Sequence, residues 1–407
     1  MGDAPRARPL RQTTAATLLV AALLLLSSFA CSSAPEWAGT IEERDGVAYV
    51  TNPAEGLWAG RETPPLRFEL EQAYGSDGFP EEAMLGNPFQ LGVAADEQSN
   101  VYVLDPQISR LVAFAADGSV RWTAGRAGEG PGELNRPSGL ALSGDGTIAL
   151  MNQGRTRIDL WSTEGEHVGA HSLQAPPLDM EGIRFPSIAG FLDPQRIVLD
   201  SSILGTLGSR TVVVDLSQPA VLGDFVFDPM PGLDMPDNVA SGSSVQVAGG
   251  KIWLGSGADY RFREYSGERE LLREVTRPFE HTLRAGVVAD DDFSGIMGFG
   301  SLSAPMPLAS GHLLVDVSWT EGIDDPNAAA REYFAARSED RDPPELTRGR
   351  ALDLYDAEGR FLYSYQEENP SWAMGTIRFI GPDDRLYTMA DDPFPQVQRY
   401  RVIIEES

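Results

Sequence analysis

The histidines are the first residues to consider for catalysis, because imidazole transfers protons and binds metals near neutral pH. The chain has four, and they are His167, His171, His281 and His312. A zinc site built from converging histidines needs several of them at one place, and this scattered set argues against one. The sequence also lacks a Gly-x-Ser-x-Gly elbow and a phosphate-binding glycine loop that opens a helix. We therefore assign no catalytic residue.

Carboxylates could instead supply oxygen ligands to a calcium ion. Four short acidic clusters are candidates for this chemistry, and they are Asp290-Asp291-Asp292, Asp324-Asp325, Asp383-Asp384 and Asp391-Asp392. None has the ligand spacing of a known calcium loop such as the EF-hand. We expect most of them to be solvated turns and assign no metal ligand, so any cofactor stays unknown.

Two arginines could bind an anion. Arg110 follows Asp105 by the same interval at which Arg157 follows Asn152. If the two segments are structural repeats, these guanidinium groups could form part of an anion-binding ring. The alternative is that each arginine braces its own turn, because a residue repeated between structural units often has a structural role.

Cys31 is the only cysteine, so it cannot form a disulfide within the chain. It follows Arg6, Arg8 and Arg11, an apolar run over residues 15–26, and the small-residue stretch that ends at Ala30. This order is typical of a secretory signal, and the apolar run is shorter than the roughly 20 residues that span a bilayer.

The segment before Cys31 resembles the lipobox of bacterial lipoproteins, although Ser28 stands where that pattern usually has leucine. The resemblance implies cleavage after Ala30 and lipidation of Cys31. It predicts a signal peptide over residues 1–30, a lipidated tether over 31–39 and a single domain over 40–407. The alternative is a plain secretory peptide cleaved nearby. We expect the mature protein in the cell envelope, in the outer membrane facing the periplasm if the organism is Gram-negative, where Ser32 resembles an outer-membrane sorting residue.

The charge of the chain restricts its partners. The formal net charge is −28 at pH 7, from 60 acidic and 32 basic residues. Nucleic acid and anionic lipid surfaces repel such a protein instead of releasing counterions to it. No apolar run after Cys31 is long enough to span a bilayer, so we expect contact with the membrane through the lipid anchor only.

An internal repeat organises the rest of the chain. Residues 93–118 align without gaps on residues 140–165, a period of roughly 40–50 residues that is typical of propeller blades. Each copy alternates apolar and polar residues in short runs broken by turn residues, which predicts strands. In the first copy the strands fall near Leu91–Ala94, Val101–Asp105, Arg110–Ala115 and Ser119–Ala124.

Weaker copies follow, and the sixth ends one strand short, with its last strand near Gln396–Ile403. The segment Leu66–Tyr74 alternates like an outer strand and precedes the first complete unit. The sequence therefore predicts an all-β fold, a six-bladed β-propeller whose ring is closed by this N-terminal strand.

The phrase Asn100–Asp105 followed by Arg110-Leu111 and Phe114 resembles bacterial six-bladed propellers of the NHL-repeat type. The connector Gly125–Glu133 that leads to Pro137 resembles the blade linker of the same group. So does the stretch between Asp45 and Pro53. The resemblance is specific in the first two blades and implies a fold, which does not by itself imply a function.

The long excursions from the repeat all belong to one face of such a ring, the face that carries the connectors between blades and the loops between second and third strands. They are Gly125–Arg136, Ser201–Arg210, Asp228–Ser241, Phe279–Ser294 and the insertion Ser318–Arg348. Because loops carry function more often than scaffolds do, this face is the candidate working surface.

The insertion in blade five predicts a short helix. Asp325 is an N-cap residue, Pro326 suits the first turn, and residues 327–337 follow before Pro343-Pro344. It could form a lid over the channel or be a solvated elaboration. The candidate ligand contacts are Trp319, Arg331, Tyr333, Phe334 and Arg337, because aromatic and arginine side chains are enriched at binding hot spots.

Three functions fit these observations. The first, which we favour, is a binding or scaffold propeller for a protein, peptide or glycan at the cell envelope. The second is a calcium-dependent lactonase or hydrolase propeller with a metal in the channel. The third is a lyase propeller, against which the few histidines argue.

Overall fold

Short strands that pair edge to edge form the elementary unit of the fold. In Val101–Asp105 every residue is buried, and the strand pairs on one side with Gly92–Ala95 and on the other with Arg110–Phe114. The computed structural model describes residues 36–75, 80–86, 91–173, 183–203, 209–218, 220–226, 244–256, 259–281, 283–289, 294–366, 374–392 and 394–406. The predicted signal peptide and Cys31 lie outside this set. No helix in the described segments has the length and apolarity needed to cross a membrane.

Three strands precede the first complete blade, and they are β1 (Thr40–Arg44), β2 (Val47–Thr51) and β3 (Leu66–Tyr74). Blade one has β4 (Gly92–Ala95), β5 (Val101–Asp105), β6 (Arg110–Phe114) and β7 (Val120–Ala124). Blade two has β8 (Pro137–Leu142), β9 (Thr147–Asn152), β10 (Arg157–Ser162) and β11 (His167–Ser172). Blade three has β12 (Ile183–Asp193), β13 (Arg196–Ile203), β14 (Ser209–Asp215) and β15 (Ala220–Val226). The strands predicted for blade one are confirmed.

Blade four has β16 (Ser244–Ala248), β17 (Lys251–Gly255), β18 (Arg261–Tyr265) and β19 (Leu271–Thr276). A hairpin of β20 (Ala285–Ala289) and β21 (Ser294–Gly298) follows it. Blade five has β22 (Gly300–Leu302), β23 (Met306–Pro307), β24 (Leu313–Thr320), helix α1 (Pro326–Ser338), β25 (Arg348–Tyr355) and β26 (Phe361–Tyr365). Blade six has β27 (Thr376–Ile380), β28 (Arg385–Ala390) and β29 (Gln396–Ile404). Short 3-10 turns lie at Glu81–Ala83 and Gln153–Arg155.

Closure of the ring follows the predicted route. The sheet of blade six has the order β27-β28-β29-β3, so β3 is its outer strand and pairs antiparallel with β29. The predicted six-bladed β-propeller with an N-terminal closing strand and one short helix in blade five is therefore confirmed. Glu71 on β3 accepts hydrogen bonds from Arg385 and Arg401. Burial would raise the pKa of Glu71, but these bonds outweigh it and hold the pKa below its ordinary value.

The strands β1 and β2 extend blade four, which the sequence did not predict. The hairpin pairs in parallel with β19 and gives blade four a six-stranded sheet in the order β1-β2-β19-β18-β17-β16. Trp37 Nε1 donates to Asn52 Oδ1 at 3.1 Å, and Asn52 N donates to Thr276 O at 2.9 Å. The N-terminal segment is thereby fixed to the junction of blades four and five.

Neighbouring blades contact each other through glycine turns. Gly118, Gly165 and Gly359 lie in the hairpins between third and fourth strands, and all have φ between 86° and 89°. A Cβ on Gly165 would lie 2.7 Å from the Trp122 ring of the preceding blade. Glycine is required at position 165 for two reasons. Its φ lies in the left-handed region, and the Trp122 ring leaves no room for a Cβ.

Aspartates close the hairpins between first and second strands. Asp96 Oδ1 accepts from the backbone N–H of Gln98 at 3.0 Å, and Asp193 Oδ1 accepts from that of Arg196 at 2.8 Å. Asp383 Oδ2 accepts from Ser99 Oγ and Tyr387 Oη, both at 2.7 Å. Asp96 and Asp193 thus serve turn geometry, whereas Asp383 Oδ2 binds side-chain hydroxyls.

Candidate functional site

The face that carries the long loops has an ordered lobe over blades four and five. We call the hairpin β20–β21 and the insertion over residues 321–347 the loop lobe. Strand β24 runs to Thr320 and β25 begins at Arg348, so both ends of the predicted insertion Ser318–Arg348 are strand residues. The excursion that begins at Phe279 contains β20 and was not predicted to have a hairpin.

Helix α1 forms as its sequence predicts. Asp325 is the N-cap, and its Oδ1 accepts from the backbone N–H groups of Asn327 and Ala328, both at 3.0 Å. Pro326 occupies the first turn, where the missing N–H costs nothing. The helix extends to Ser338, and the backbone N–H of Glu339 caps its end on Ala335 O. The cap fixes where the helix starts and thus which side chains it exposes.

The helix packs on the hairpin. Ala330 is fully buried and belongs to a small apolar cluster with Val288 and Phe299. Partly buried apolar residues complete the cluster, and they are Met297, Ile323, Ala329, Phe334 and Leu346. Gly286 on β20 lies so close to α1 that a Cβ there would be 2.0 Å from Pro326 O. The loop lobe therefore has a core of its own.

Some of the ligand contacts predicted in the insertion are buried, and others are exposed to solvent. Arg331 and Arg337 are exposed on α1, and Tyr333 is half-buried. Phe334 is half-buried and packs within the lobe core, edge-on to Tyr333 at 5.7 Å. Trp319 is only 8% exposed and stacks on His281 with ring centroids 4.8 Å apart. Of the predicted contact residues in this region, Arg331 and Arg337 are therefore the exposed ones, with the half-buried Tyr333 beside them.

The repeated arginines lie elsewhere. Arg157 Nε donates to the buried carboxylate of Asp159 at 2.9 Å, and its Nη2 donates to Gly130 O at 3.1 Å. This guanidinium braces the connector between blades one and two. Arg110 pairs in register with Asp105, is half-buried and has interaction partners of its own. An anion-binding role for the two arginines stays a prediction.

Asp159 also orients a histidine. Its Oδ1 lies 2.9 Å from His167 Nε2, and Asn152 Nδ2 donates to its other oxygen at 2.8 Å. The His167 ring stands edge-on to Trp161 at 5.2 Å. Within the described residues, no group of three or more His, Cys, Asp or Glu side chains is arranged to hold a metal ion. Asp290–Asp292 lie outside those residues.

Sequence reasoning did not predict the contacts that Phe279 and His281 make. They lie in the connector after blade four and pack around Trp319, with Phe279 edge-on to the indole at 5.5 Å. The available signal was the strand-like composition of Ala285–Ala289 and Ser294–Gly298, which identifies an ordered connector. No short-range sequence pattern predicted the contact between this connector and α1.

The close approach of Gly286 to Pro326 gives a test of the loop lobe. We expect Gly286→Ala to separate α1 from the hairpin, because the added methyl group overlaps a backbone carbonyl and such overpacking costs about 1–3 kcal/mol. Gly298→Ala is the matched control, since Gly298 lies on the partner strand with open space around it. Limited proteolysis should show faster cleavage within residues 321–347 for Gly286→Ala only. Equal cleavage of the two variants would contradict the packing.

Comparison with known proteins finds similar folds among solved structures only. No protein-family model matches the chain, and no curated protein matches it. Among solved structures, it is similar to a member of the DUF4221 family from Bacteroides vulgatus, with a TM-score of 0.56, 12% identity, and coverage of 84% of this chain and 99% of that one.

A second similar structure is a "putative exported protein" from Bacteroides fragilis, with a TM-score of 0.51, 12% identity, and coverage of 87% of this chain and 99% of that one. Virginiamycin B lyase from Staphylococcus aureus gives a TM-score of 0.42 at 10% identity, with coverage of 83% of this chain and 100% of that one, a level that carries no argument about activity. At these identities the likeness establishes the propeller fold alone.

Proposed function

We propose that this protein is a lipid-anchored propeller of the cell envelope that binds a protein, peptide or glycan through its loop lobe. The observation that carries the proposal is the lobe itself, which has its own apolar core and holds Arg331 and Arg337 outward on a capped helix. A helix built in this way presents a fixed polar surface, and fixed surfaces lose less entropy on binding. The similar fold of a "putative exported protein" agrees with an extracytoplasmic location.

The charge of the chain favours certain partners. With a net charge of −28, it attracts cationic surfaces and repels polyanions. The exposed residues of α1 and its C-cap include Glu332 and Glu339 as well as the two arginines, so this surface offers both signs of charge. This mixed surface suits a polar protein, peptide or glycan contact better than a purely electrostatic one.

Lipidation is tested separately. Mass spectrometry of the membrane-extracted protein is expected to show an acylated N-terminal Cys31, because the thiol follows the predicted cleavage point and has no disulfide partner. Cys31→Ser should move the protein to the soluble fraction, and Ser32→Ala is the control that keeps the thiol. Recovery of mature protein with an unmodified Cys31 would disprove the anchor.

A further inference from the structure

The outermost strand of each blade has one edge at the rim of the ring, and such an edge can pair with another chain unless something protects it. In blades four and five the N-terminal segment does so. Strand β2 pairs in parallel with β19, and the backbone N–H groups of Leu57 and Trp58 donate to carbonyl oxygens of β26 at 3.0 and 2.7 Å. The chain therefore adds extended segments to its own outer strands.

Charged residues protect further edges, because a charge resists enclosure between paired strands. They are Arg67 and Glu69 of β3, Arg121 of β7, Asp224 of β15 and residues 42–44 of β1. These strands are poor templates for pairing with another chain.

Strand β11 of blade two has neither kind of protection. Its six residues include no aspartate, glutamate, lysine or arginine. It ends the sheet order β11-β10-β9-β8, so no other described strand pairs with its outer edge. Val168 is 58% exposed, and Gly169 has open space where a Cβ would stand. Burial lowers the pKa of His171, so this imidazole adds no charge near neutral pH. The edge is open to another chain.

Blade four shows how a strand is added at this position of a blade. Both β11 and β19 have a one-residue register shift near their start, which leaves Val168 as the extra residue in β11 and Leu272 in β19. Residues 169–172 of β11 therefore correspond to residues 273–276 of β19. That stretch of β19 is the one that pairs with β2.

The outer edge of β11 has a backbone donor and acceptor at Ala170. Leu173 N donates to Thr156 O at 2.9 Å, and hydrogen-bonded and non-hydrogen-bonded pairs alternate along an antiparallel ladder. The N–H and C=O of Ala170 therefore point away from β10 and toward the rim. The corresponding residue of β19 is Glu274, which lies opposite Tyr49 of the added strand β2.

Charge decides which chain suits this edge. A second copy has the same net charge of −28 and is repelled. Glu164 and Glu166 are exposed in the hairpin that leads into β11, so a parallel added strand begins beside two carboxylates. At the other end, Arg155 binds Glu129 at 3.1 Å, and the two charges balance. A segment with basic residues directly before an uncharged strand complements both ends.

From this geometry we propose that the outer edge of β11 binds an extended segment of a basic partner protein as a parallel strand, through backbone hydrogen bonds to Ala170. In strand addition, main-chain bonds give affinity and alternate side chains give specificity. The added residue opposite His171 takes the place that Val50 has opposite Val275 in blade four, where both valines are 1% exposed. The site lies on blade two and does not depend on the proposed function of the loop lobe.

Fluorescence anisotropy with a labelled synthetic peptide and the purified mature protein tests this edge. The probe has two lysines before a strand of alternating threonine and valine. It should bind at least about tenfold more tightly than a peptide with the lysines after the strand, because only the first order places them beside Glu166. Methylation of the backbone nitrogens on the pairing edge should abolish binding, since it removes the donors of the ladder.

Two variants locate the site. Ala170→Pro removes the outward N–H but keeps the ladder with β10, and it should weaken the lysine-first peptide at least about tenfold. Thr123→Pro, at the corresponding position of β7, is its control. Glu166→Lys should also weaken that peptide, because it reverses the charge beside the lysines. Glu270→Lys is its control, since Glu270 occupies the same place in the hairpin of blade four.

Thermal melts establish that each variant is folded, and Glu166→Lys decides the outcome if Ala170→Pro does not fold. The proposal is overturned if neither peptide binds, if the two lysine orders bind equally, or if the folded variants bind like the unaltered protein. Sedimentation of the protein alone tests the other occupant. A dimer that Ala170→Pro dissociates, without peptide binding, would assign the edge to a second copy and overturn the proposal.

Discussion

Deletion of residues 36–74 is expected to abolish cooperative folding of the propeller. The deletion removes β3, which pairs with β29 from Leu66 opposite Ile404 to Tyr74 opposite Val397. Leu66 and Tyr74 are both 0% exposed. Truncating a buried leucine or large aromatic costs about 2–5 kcal/mol each, and a whole domain is stable by only about 5–15 kcal/mol. The loss of the strand is therefore comparable to the total stability.

A shorter deletion provides the control. Removing residues 36–51 eliminates β1 and β2, including the buried Val50, but keeps β3, so the ring stays closed while blade four loses its two outermost strands. Circular dichroism melts should show a cooperative transition for this variant and none for the longer deletion, which should also aggregate through the exposed edge of β29. A cooperative transition of the longer deletion at the original temperature would refute strand closure.

Neutralising Asp353 is the second change with a large expected effect. Asp353 on β25 is 0% exposed, and Arg277 Nη2 donates to its Oδ2 at 2.7 Å. Tyr260 Oη donates to the same oxygen, and Tyr355 Oη donates to Tyr260 Oη at 2.9 Å. Burial raises the pKa of both tyrosines, so they stay neutral donors. The network joins blade four to blade five.

Arg277 is embedded in this junction. Its side chain is 8% exposed, and its guanidinium lies over the rings of Tyr260 at 4.3 Å and Phe361 at 4.5 Å. Burial would lower the pKa of Arg277, but interaction with Tyr260 and Asp353 outweighs it and raises the pKa. Loss of the Asp353 charge leaves a buried cation without its counter-ion, which costs about 3–5 kcal/mol.

We therefore expect Asp353→Asn to lower the free energy of unfolding by about 3–5 kcal/mol in urea titrations. The double variant Arg277→Met with Asp353→Leu should lose less than the single Asp353→Leu, because apolar pairs often replace buried ion pairs at little cost. Glu339→Gln breaks the solvent-exposed pair with Arg341 and should change stability by less than about 1 kcal/mol. A change below 1 kcal/mol for Asp353→Asn would contradict the role of the network.

The features predicted from sequence are those encoded by neighbouring residues. The blade-one strands follow from alternation and turn residues, and α1 follows from Asp325 and Pro326, whose effects act within one helical turn. Closure by β3 was predicted by counting strands in the sixth unit, since a ring leaves no unpaired edge. These inferences need no knowledge of side-chain contacts.

The features not predicted depend on distant contacts. Arg277 and Asp353 are 76 residues apart and lie in different blades. The pairing of β2 with β19 places Ala48 opposite Arg273. No pattern in either segment predicts that the two strands pair. Val168 is the extra residue of a one-residue register shift, and such shifts follow from pairing with a partner strand. Trp319 was expected to contact a ligand, yet its burial comes from Phe279 and His281 in another blade connector.

Site-specific photo-crosslinking in the source organism tests most directly whether the loop lobe is the binding surface. A benzophenone amino acid at Arg331 lies on the exposed side of α1, and one at Asp117 lies in an exposed hairpin between third and fourth strands, on the opposite face of the ring. We expect a discrete adduct from position 331 and none from position 117. An adduct from position 117 with none from position 331 would contradict the proposed binding face.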